Sequence, residues 1–318
     1  MKDKHLIYLL GDTGVSVLNF FGSNYEMTKE KVDAEILLVR SAQVVLEEFP
    51  SVKVIARLGK GIKNIPVDEA TEKGILVVYA KDANATAVAQ FVIRSMLDGL
   101  RNFDESRRFT QNIPLVMDNP LPYIEQNKER FRGRNTEGLN IGLIGASGDV
   151  CRALIPHLDL FGMNIFANDI VEVPKATNTG KVITKATIDQ IVEHCDVISV
   201  HTDTPGMISN KQAVRMKEGA VFIDYARGVS LQYVDSLREK MPDIMAYSDF
   251  GTREWLSLQE DFPMNVFVSP HGAGLTDYAE EMCVSNIVQA TRKFVETGVA
   301  DAHSIYCINA KALMEKVV

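Results

Sequence analysis

Gly142-Leu-Ile-Gly145-Ala-Ser147-Gly148-Asp149-Val150-Cys151-Arg152 decides the fold. It follows an apolar run, 139–144, that reads as a strand, and it opens a helical stretch, 150–160. A glycine-rich turn between strand and helix is where a doubly wound α/β sheet lets its backbone approach a pyrophosphate at a helix N-terminus. The next strand, 163–167, runs on to Asp169, 24 positions after Gly145. An acid at that place binds adenosine ribose hydroxyls and repels a 2′-phosphate, which favours NAD over NADP. The spacing departs from GxGxxG: it reads Gly145-x-x-Gly148-x-x-Cys151, one residue longer, with Cys at the third glycine. A purely structural turn would leave the same string. The acid at the right distance tips the reading towards a nucleotide.

The alternation extends to both ends of the chain. Apolar runs at 6–10, 36–40, 54–58 and 75–79 read as strands. Between the last two, 66–74 is a short helix with Pro66 near its start and Gly74 past its end. Residues 85–101, rich in Ala, Val, Ile, Met and Leu, read as a long helix. Residues 104–138 are polar, carry Pro114, Pro120 and Pro122, and read as a connector and arm. Beyond the turn, the spacings Thr187…Gln190 and Ser209…Gln212 are capping boxes that open two helices. Strands follow at 197–200, 220–223, 244–247 and 266–268, with a helix at 231–240 and a last one, 277–297, ending at Gly298. The predicted fold is α/β, with two Rossmann-like doubly wound parallel-sheet domains.

Composition agrees with that architecture. The 318 residues suffice for two domains. A chain 46% hydrophobic and 24% charged is a soluble globular protein with a sizeable core. Thirty-four Lys+Arg against 42 Asp+Glu leave a net charge of −8, which excludes a general nucleic-acid binder but not a local anion pocket. No apolar run approaches the ~18 residues of a membrane span, and 6–10 is too short for a signal sequence. Cys151, Cys195, Cys283 and Cys307 form no CxxC, and the six histidines form no HExxH. No metal site or disulfide framework is therefore expected, and a cytoplasmic protein with reduced thiols is.

Three strings in the second half carry chemistry: Asp224-Tyr-Ala226-Arg227-Gly228, Asp249-Phe-Gly-Thr-Arg-Glu254, and Pro270-His271-Gly272-Ala273-Gly274. Each lies just past a strand C-terminus, where open α/β sheets place their ligands. Taken singly, the Arg reads equally as a surface ion pair and the His as a loop residue. Their order after a glycine turn makes them specific.

With these strings, the chain resembles the D-2-hydroxyacid dehydrogenases, from about residue 36 to about 300, and is closest in pattern to the D-3-phosphoglycerate dehydrogenase branch. Ala56-Arg57-Leu-Gly59-Lys60-Gly61-Ile-Lys63-Asn64-Ile-Pro66-Val-Asp68 resembles the family's substrate loop. Asn84-Ala-Thr-Ala-Val88-Ala89 continues the likeness, and Val39-Arg40-Ser41 resembles the phosphoglycerate branch. The resemblance implies a discontinuous substrate domain, 1–101 with 283–318, around a nucleotide domain, 102–282. It implies that His271 exchanges a proton with the substrate 2-hydroxyl while hydride passes between C2 and nicotinamide. Imidazoles titrate near neutrality, which suits both directions. Glu254 would orient that imidazole, and Arg227 would bind the substrate carboxylate through its rigid fork of donors. Arg40, Ser41, Arg57, Lys60, Gly61 and Asn84 would complete the substrate site. Gly145, Ser147, Gly148, Asp149, Val150, Cys151, Asp169, His201, Thr202, Ala226, Asp249, Gly272, Ala273 and Gly274 would line NAD. A homodimer through 84–101 and the arm at 104–138 is implied in the same way.

Within an acidic chain, Arg57, Lys60 and Lys63 cluster in seven residues. They read either as a solvated basic loop or as a cradle for a substrate bearing carboxylate and phosphate. The most direct expectation is oxidation of 3-phospho-D-glycerate to 3-phosphohydroxypyruvate, the serine-biosynthesis reaction. Glycerate, hydroxypyruvate or phosphoerythronate would serve the same chemistry. The family fold also serves non-catalytic nucleotide sensors. Departures from the family pattern cluster at the nucleotide: the longer turn, Cys151, Asp149 where a pyrophosphate would lie, Asp203 in place of Pro, and a shorter loop after it. Trp255 stands where Pro is common, and Gln90 where Glu is. Weaker NAD binding than is usual for the family is therefore expected. No stretch resembles the extra regulatory domain of some phosphoglycerate dehydrogenases, so serine feedback through one is not expected.

Overall fold

The computed structural model describes residues 4–11, 17–59, 61–80, 83–114, 118–202, 204, 207–226, 232–301, 304 and 306–315. In chain order it begins with β1 (His5–Leu10), α1 (Leu18–Phe21), β2 (Tyr25–Met27), β3 (Ile36–Val39), β4 (Val54–Arg57), α2 (Val67–Glu72) and β5 (Leu76–Tyr79). Next come α3 (Ala85–Arg101), α4 (Phe103–Gln111), α5 (Leu121–Asn127), β6 (Asn140–Ile144), α6 (Asp149–Leu160), β7 (Asn164–Asn168) and β8 (Thr184–Lys185). Then follow α7 (Ile188–His194), β9 (Val197–Val200), α8 (Asn210–Ala213), β10 (Val221–Asp224), α9 (Gln232–Leu237), β11 (Met245–Ser248), α10 (Arg253–Asp261) and β12 (Val266–Val268). The chain closes with α11 (Asp277–Thr297) and α12 (Ala310–Glu315).

Two compact units result, Met1–Asn84 with Thr276–Val318, and Ala85–Leu275. Their boundaries fall at 84/85 and 275/276, earlier than the 101/102 and 282/283 read from the sequence. The reason is the packing of two whole helices. Ala89, Val92, Met96 and Leu100 of α3 are buried in the core of the second unit. Val284, Ile287 and Val288 of α11 are buried in that of the first. A fully buried aliphatic side chain contributes about 1.5–3 kcal/mol, so each helix goes with the sheet it covers.

The first unit holds a five-stranded sheet in the order β2-β1-β3-β4-β5, with every pairing parallel. This is the flavodoxin-like order of a doubly wound sheet. Val39 pairs with Arg57, so Arg40 and Arg57 sit at the C-terminal ends of adjacent strands. The second unit holds a seven-stranded parallel sheet, β12-β11-β10-β9-β6-β7-β8. Outward from β6 this is the Rossmann order with one strand added, and the switch point lies between β6 and β9. The strands β3, β9 and β10 are buried at every residue, as sheets covered on both faces require. Both predicted capping boxes form, at Thr187–Gln190 and at Ser209–Gln212.

The stretch 104–138 is more structured than a connector. It contains most of α4, all of α5 and a short 3₁₀ turn, with Phe109 against Tyr123 and Phe131. Among the described residues, no helix is long and apolar enough to cross a membrane.

Candidate functional site

The glycine turn sits where β6 meets α6, at the switch point of the second unit. Gly142 belongs to β6 itself: a Cβ there would lie 2.3 Å from Ile191 Cγ2, so its role is the packing of α7 on the sheet. Gly145 makes the turn. Its φ is +86°, and a Cβ would lie 2.6 Å from the His201 carbonyl oxygen and 3.2 Å from the Thr202 nitrogen. The turn and the loop after β9 thus touch through backbone alone. Gly148 donates its N–H to Gly145 O and caps α6.

Asp169 is tied to this turn. Ser147 N donates to Asp169 Oδ2 at 2.9 Å, and Val171 N to Oδ1 at 3.3 Å, while the Ser147 hydroxyl donates to Glu172 O. Asp149 lies in the first turn of α6, where the helix dipole favours a negative charge, with Arg152 3.9 Å away. Val150 is half-buried beside it. Cys151 differs from the expectation that it lines a cofactor: its side chain is fully buried in the core below the turn, and burial, then the Asp169 charge, pushes its thiol far up. At this position the thiol packs helix against sheet, the task of the missing glycine. At the end of β9, His201 Nε2 shares a hydrogen bond with Ser199 Oγ (2.7 Å), and burial pushes the imidazole down to about 4. Thr202 Oγ1 accepts from Thr204 N.

The ends of β10, β11 and β12 carry the remaining predicted groups. Arg227 and Lys60 lie outside the described residues. Just before Arg227, Ala226 N donates to Asp224 Oδ1 (3.1 Å) and the Tyr233 hydroxyl donates to Oδ2. Asp224 is buried, which pushes its carboxyl up to about 6 against those two hydrogen bonds. Asp249, 3% exposed, accepts from the Ser269 hydroxyl and from the N–H groups of Gly272 (2.9 Å) and Ala273 (3.2 Å to Oδ1, 3.1 Å to Oδ2). It therefore binds the loop that presents His271. Gly274 follows, half-buried. His271 is exposed and left-handed, with φ +58°, and its ring stands 4.5 Å from that of Phe250. Strained backbone of this kind is concentrated at functional sites.

Glu254 stands in the first turn of α10, which Thr252 caps. Among the described residues no hydrogen bond or ion pair joins Glu254 to His271; the imidazole lies against Phe250 instead. Trp255 is fully buried and stacks on Phe222, fixing α10 to the sheet. Ser269 and Tyr233, partners of buried carboxylates, are not predicted from the sequence. The short spacing Ser269-Pro-His271 was the available signal for the first; nothing local announced the second. A cleft of about 550 Å³ between α3, α4 and the β11–β12 edge is lined by Arg94, Arg108, Tyr225 and Phe267, and by none of the predicted site residues.

In the first unit, Arg40 Nη2 lies 3.3 Å from Glu280 Oε1. Arg57 Nη1 donates to Leu58 O at 2.5 Å. Gly59, at φ +140°, lies so close that a Cβ would be 2.7 Å from that same nitrogen. Both guanidinium groups act on Cys283 of α11: burial pushes its thiol up to about 11, while Arg40 and Arg57 pull it down. Two of the predicted basic residues are thus brought together. Ser41 and Gly61 are exposed, and Asn84 is half-buried.

A doubly wound unit with a glycine turn at its switch point and an acid after the second strand is a dinucleotide-binding scaffold. Residues 5–305 match the family model of the D-isomer specific 2-hydroxyacid dehydrogenase catalytic domain, and the chain belongs to that family. It is 28% identical over 296 residues to the D-3-phosphoglycerate dehydrogenase of Methanocaldococcus jannaschii, covering 88% of this chain and 53% of that protein. The chain thus spans about half the length of that protein and of the Mycobacterium leprae phosphoglycerate dehydrogenase, and less of the other phosphoglycerate dehydrogenases that it matches. It is also 28% identical over 294 residues to the hydroxypyruvate reductase of Thermotoga maritima, covering 86% and 88%. The NAD-complexed D-isomer specific 2-hydroxyacid dehydrogenase of Lactobacillus delbrueckii ssp. bulgaricus has the same fold, at a TM-score of 0.74 and 19% identity over 96% of this chain and 100% of that one.

Proposed function

We propose that the chain is an NAD-dependent D-2-hydroxyacid dehydrogenase whose substrate is 3-phospho-D-glycerate. The observation that carries the substrate is the pair Arg40 and Arg57, on adjacent strand ends of an acidic protein. Guanidinium forks suit carboxylate and phosphate oxygens.

The residues of the turn fit an adenine dinucleotide. Gly145 and Gly148 keep side chains out of the turn, α6 points its N-terminus there, and Asp169 offers a ribose acceptor. Bound NAD would accept the hydride from C2 of the acid. On the protein side, the His271 imidazole takes the 2-hydroxyl proton and returns it in the reverse direction. Arg227 and the backbone of Lys60 and Gly61 hold the substrate carboxylate. Glu254, in the first turn of α10 and not bonded to His271 here, is the carboxylate that would stabilise the imidazolium once it approaches the ring. Asp149 would bring negative charge towards a pyrophosphate and weaken dinucleotide binding, and Arg152 would offset this in part. The protein is read as a cytoplasmic homodimer. Exposed Phe103, Leu121 and Tyr123 on α4 and α5 supply apolar surface for the second copy.

Steady-state rates with 3-phosphoglycerate, glycerate and lactate test the substrate. A higher kcat/KM for the phosphorylated acid is expected; equal or better activity on the others overturns it. Hydroxypyruvate reduction is the second reading, favoured by the match to nearly the full length of the Thermotoga maritima reductase.

A further inference from the structure

We propose that Asp249 is the positioning residue of the His271 loop. This rests on the reading of His271 as the acid–base group. The family resemblance implies that Asp249 lines the cofactor, but its carboxylate faces its own chain. Oδ1 accepts from the Ser269 hydroxyl and from the N–H groups of Gly272 and Ala273, and Oδ2 accepts from Ala273 N as well. A carboxylate accepts through both of its oxygens, and these contacts occupy both. The group is 3% exposed, so the hydrogen bonds are made away from competing water. One residue earlier, Ser248 O accepts from Ser269 N at 2.8 Å. The end of β11 therefore grips the loop on both sides of His271.

The grip has a reason in the backbone. His271 and Asn102 are the non-glycine residues with positive φ among the described residues. A left-handed histidine persists only where its surroundings over-determine it. Gly272 and Ala273 follow it directly, and their N–H groups are the ones that Asp249 fixes. The carboxylate thereby sets the direction in which the His271 Cα–Cβ bond leaves the loop. It contributes nothing to proton transfer itself.

Asp249→Asn and Ser269→Ala test this in three measurements: amide hydrogen exchange over 269–275, NADH affinity by fluorescence titration, and turnover on 2-hydroxy acids. Exchange is expected to quicken in both variants while NADH affinity holds. In Asp249→Asn kcat falls by about 10²-fold at unchanged KM, the scale of a catalytic group misplaced by about 1 Å; in Ser269→Ala it falls by less. Unchanged exchange overturns the clamp. Quicker exchange with kcat intact overturns the positioning role, and lost NADH affinity with kcat intact makes Asp249 a cofactor ligand instead. If Asp249→Asn does not fold, Ser269→Ala decides by the same outcomes. If the unsubstituted protein turns over no 2-hydroxy acid, the dehydrogenase reading fails, while quicker exchange in the variants still supports the clamp.

Discussion

The backbone N–H of Ser147 donates to the Asp169 carboxylate at 2.9 Å, so the acid that ends β7 also closes the glycine turn that follows β6. The carboxylate holds the turn, and under the proposed function it would also accept from the ribose hydroxyls. Removing it loses a hydrogen bond to a charged group, which is worth about 1.5–3 kcal/mol. Asp169→Ala is expected to weaken NADH binding by about 10–100-fold in a fluorescence titration. The preference over NADPH should shrink with it. Unaltered affinity would show that Asp169 serves the turn alone.

Gly145 is irreplaceable for two independent reasons, its φ of +86° and the His201 carbonyl 2.6 Å from any Cβ. Backbone cannot retreat as a flexible side chain can. Gly145→Ala should cost at least about 1–3 kcal/mol of stability by chemical denaturation. The Gly180→Ala control, also at positive φ but with nothing within 4 Å of its Cβ, carries the backbone strain without the clash. Equal losses in the two variants would contradict the role of the His201 contact.

Asp224 makes stability depend on pH. Burial raises its folded pKa to about 6, against about 3.9 for an unfolded Asp. A raised carboxyl pKa means that the folded state keeps a proton the unfolded state has lost. Stability is therefore fully present below pH ~4 and declines as pH rises through ~6. Asp224→Asn retains an acceptor and cannot ionise. It should melt higher than the unsubstituted protein at pH 8, by the equivalent of about 1–3 kcal/mol, and alike at acid pH. A difference that does not vary with pH would refute this.

Arg40 and Arg57 end neighbouring strands of the first unit. Arg40→Ala should raise KM for 3-phosphoglycerate by about tenfold or more, the scale of one charge-assisted hydrogen bond, and leave KM for glycerate nearly unchanged. Parallel increases for both acids would make Arg40 a carboxylate ligand or a structural partner of Glu280.

The alternation of apolar runs gave away both sheets because parallel strands covered on both faces are continuous in Val, Ile and Leu. The capping boxes at Thr187 and Ser209 were equally legible, being local. Short, half-exposed edge strands such as β2 and β8 left no such trace. The domain boundaries were misplaced by up to 17 residues, since which sheet α3 covers depends on tertiary packing rather than on its own pattern. Strand ends pointed to the strings around Arg227, Glu254 and His271, while the roles of the candidate site's residues were implied by the family resemblance. The partners of its buried carboxylates could not be named, because Asp224–Tyr233 and Asp249–Ser269 are contacts made by the fold.

We propose that His271 exchanges the substrate proton in an NAD-linked oxidation of a phosphorylated D-2-hydroxy acid. The most direct test is the initial rate of NADH formation with 3-phospho-D-glycerate, in the unsubstituted protein and in His271→Ala. Turnover that falls by about 10²–10⁴-fold in the variant, with folding and NADH affinity retained, is the predicted result. Turnover equal in the two proteins would mean that His271 does not exchange the substrate proton.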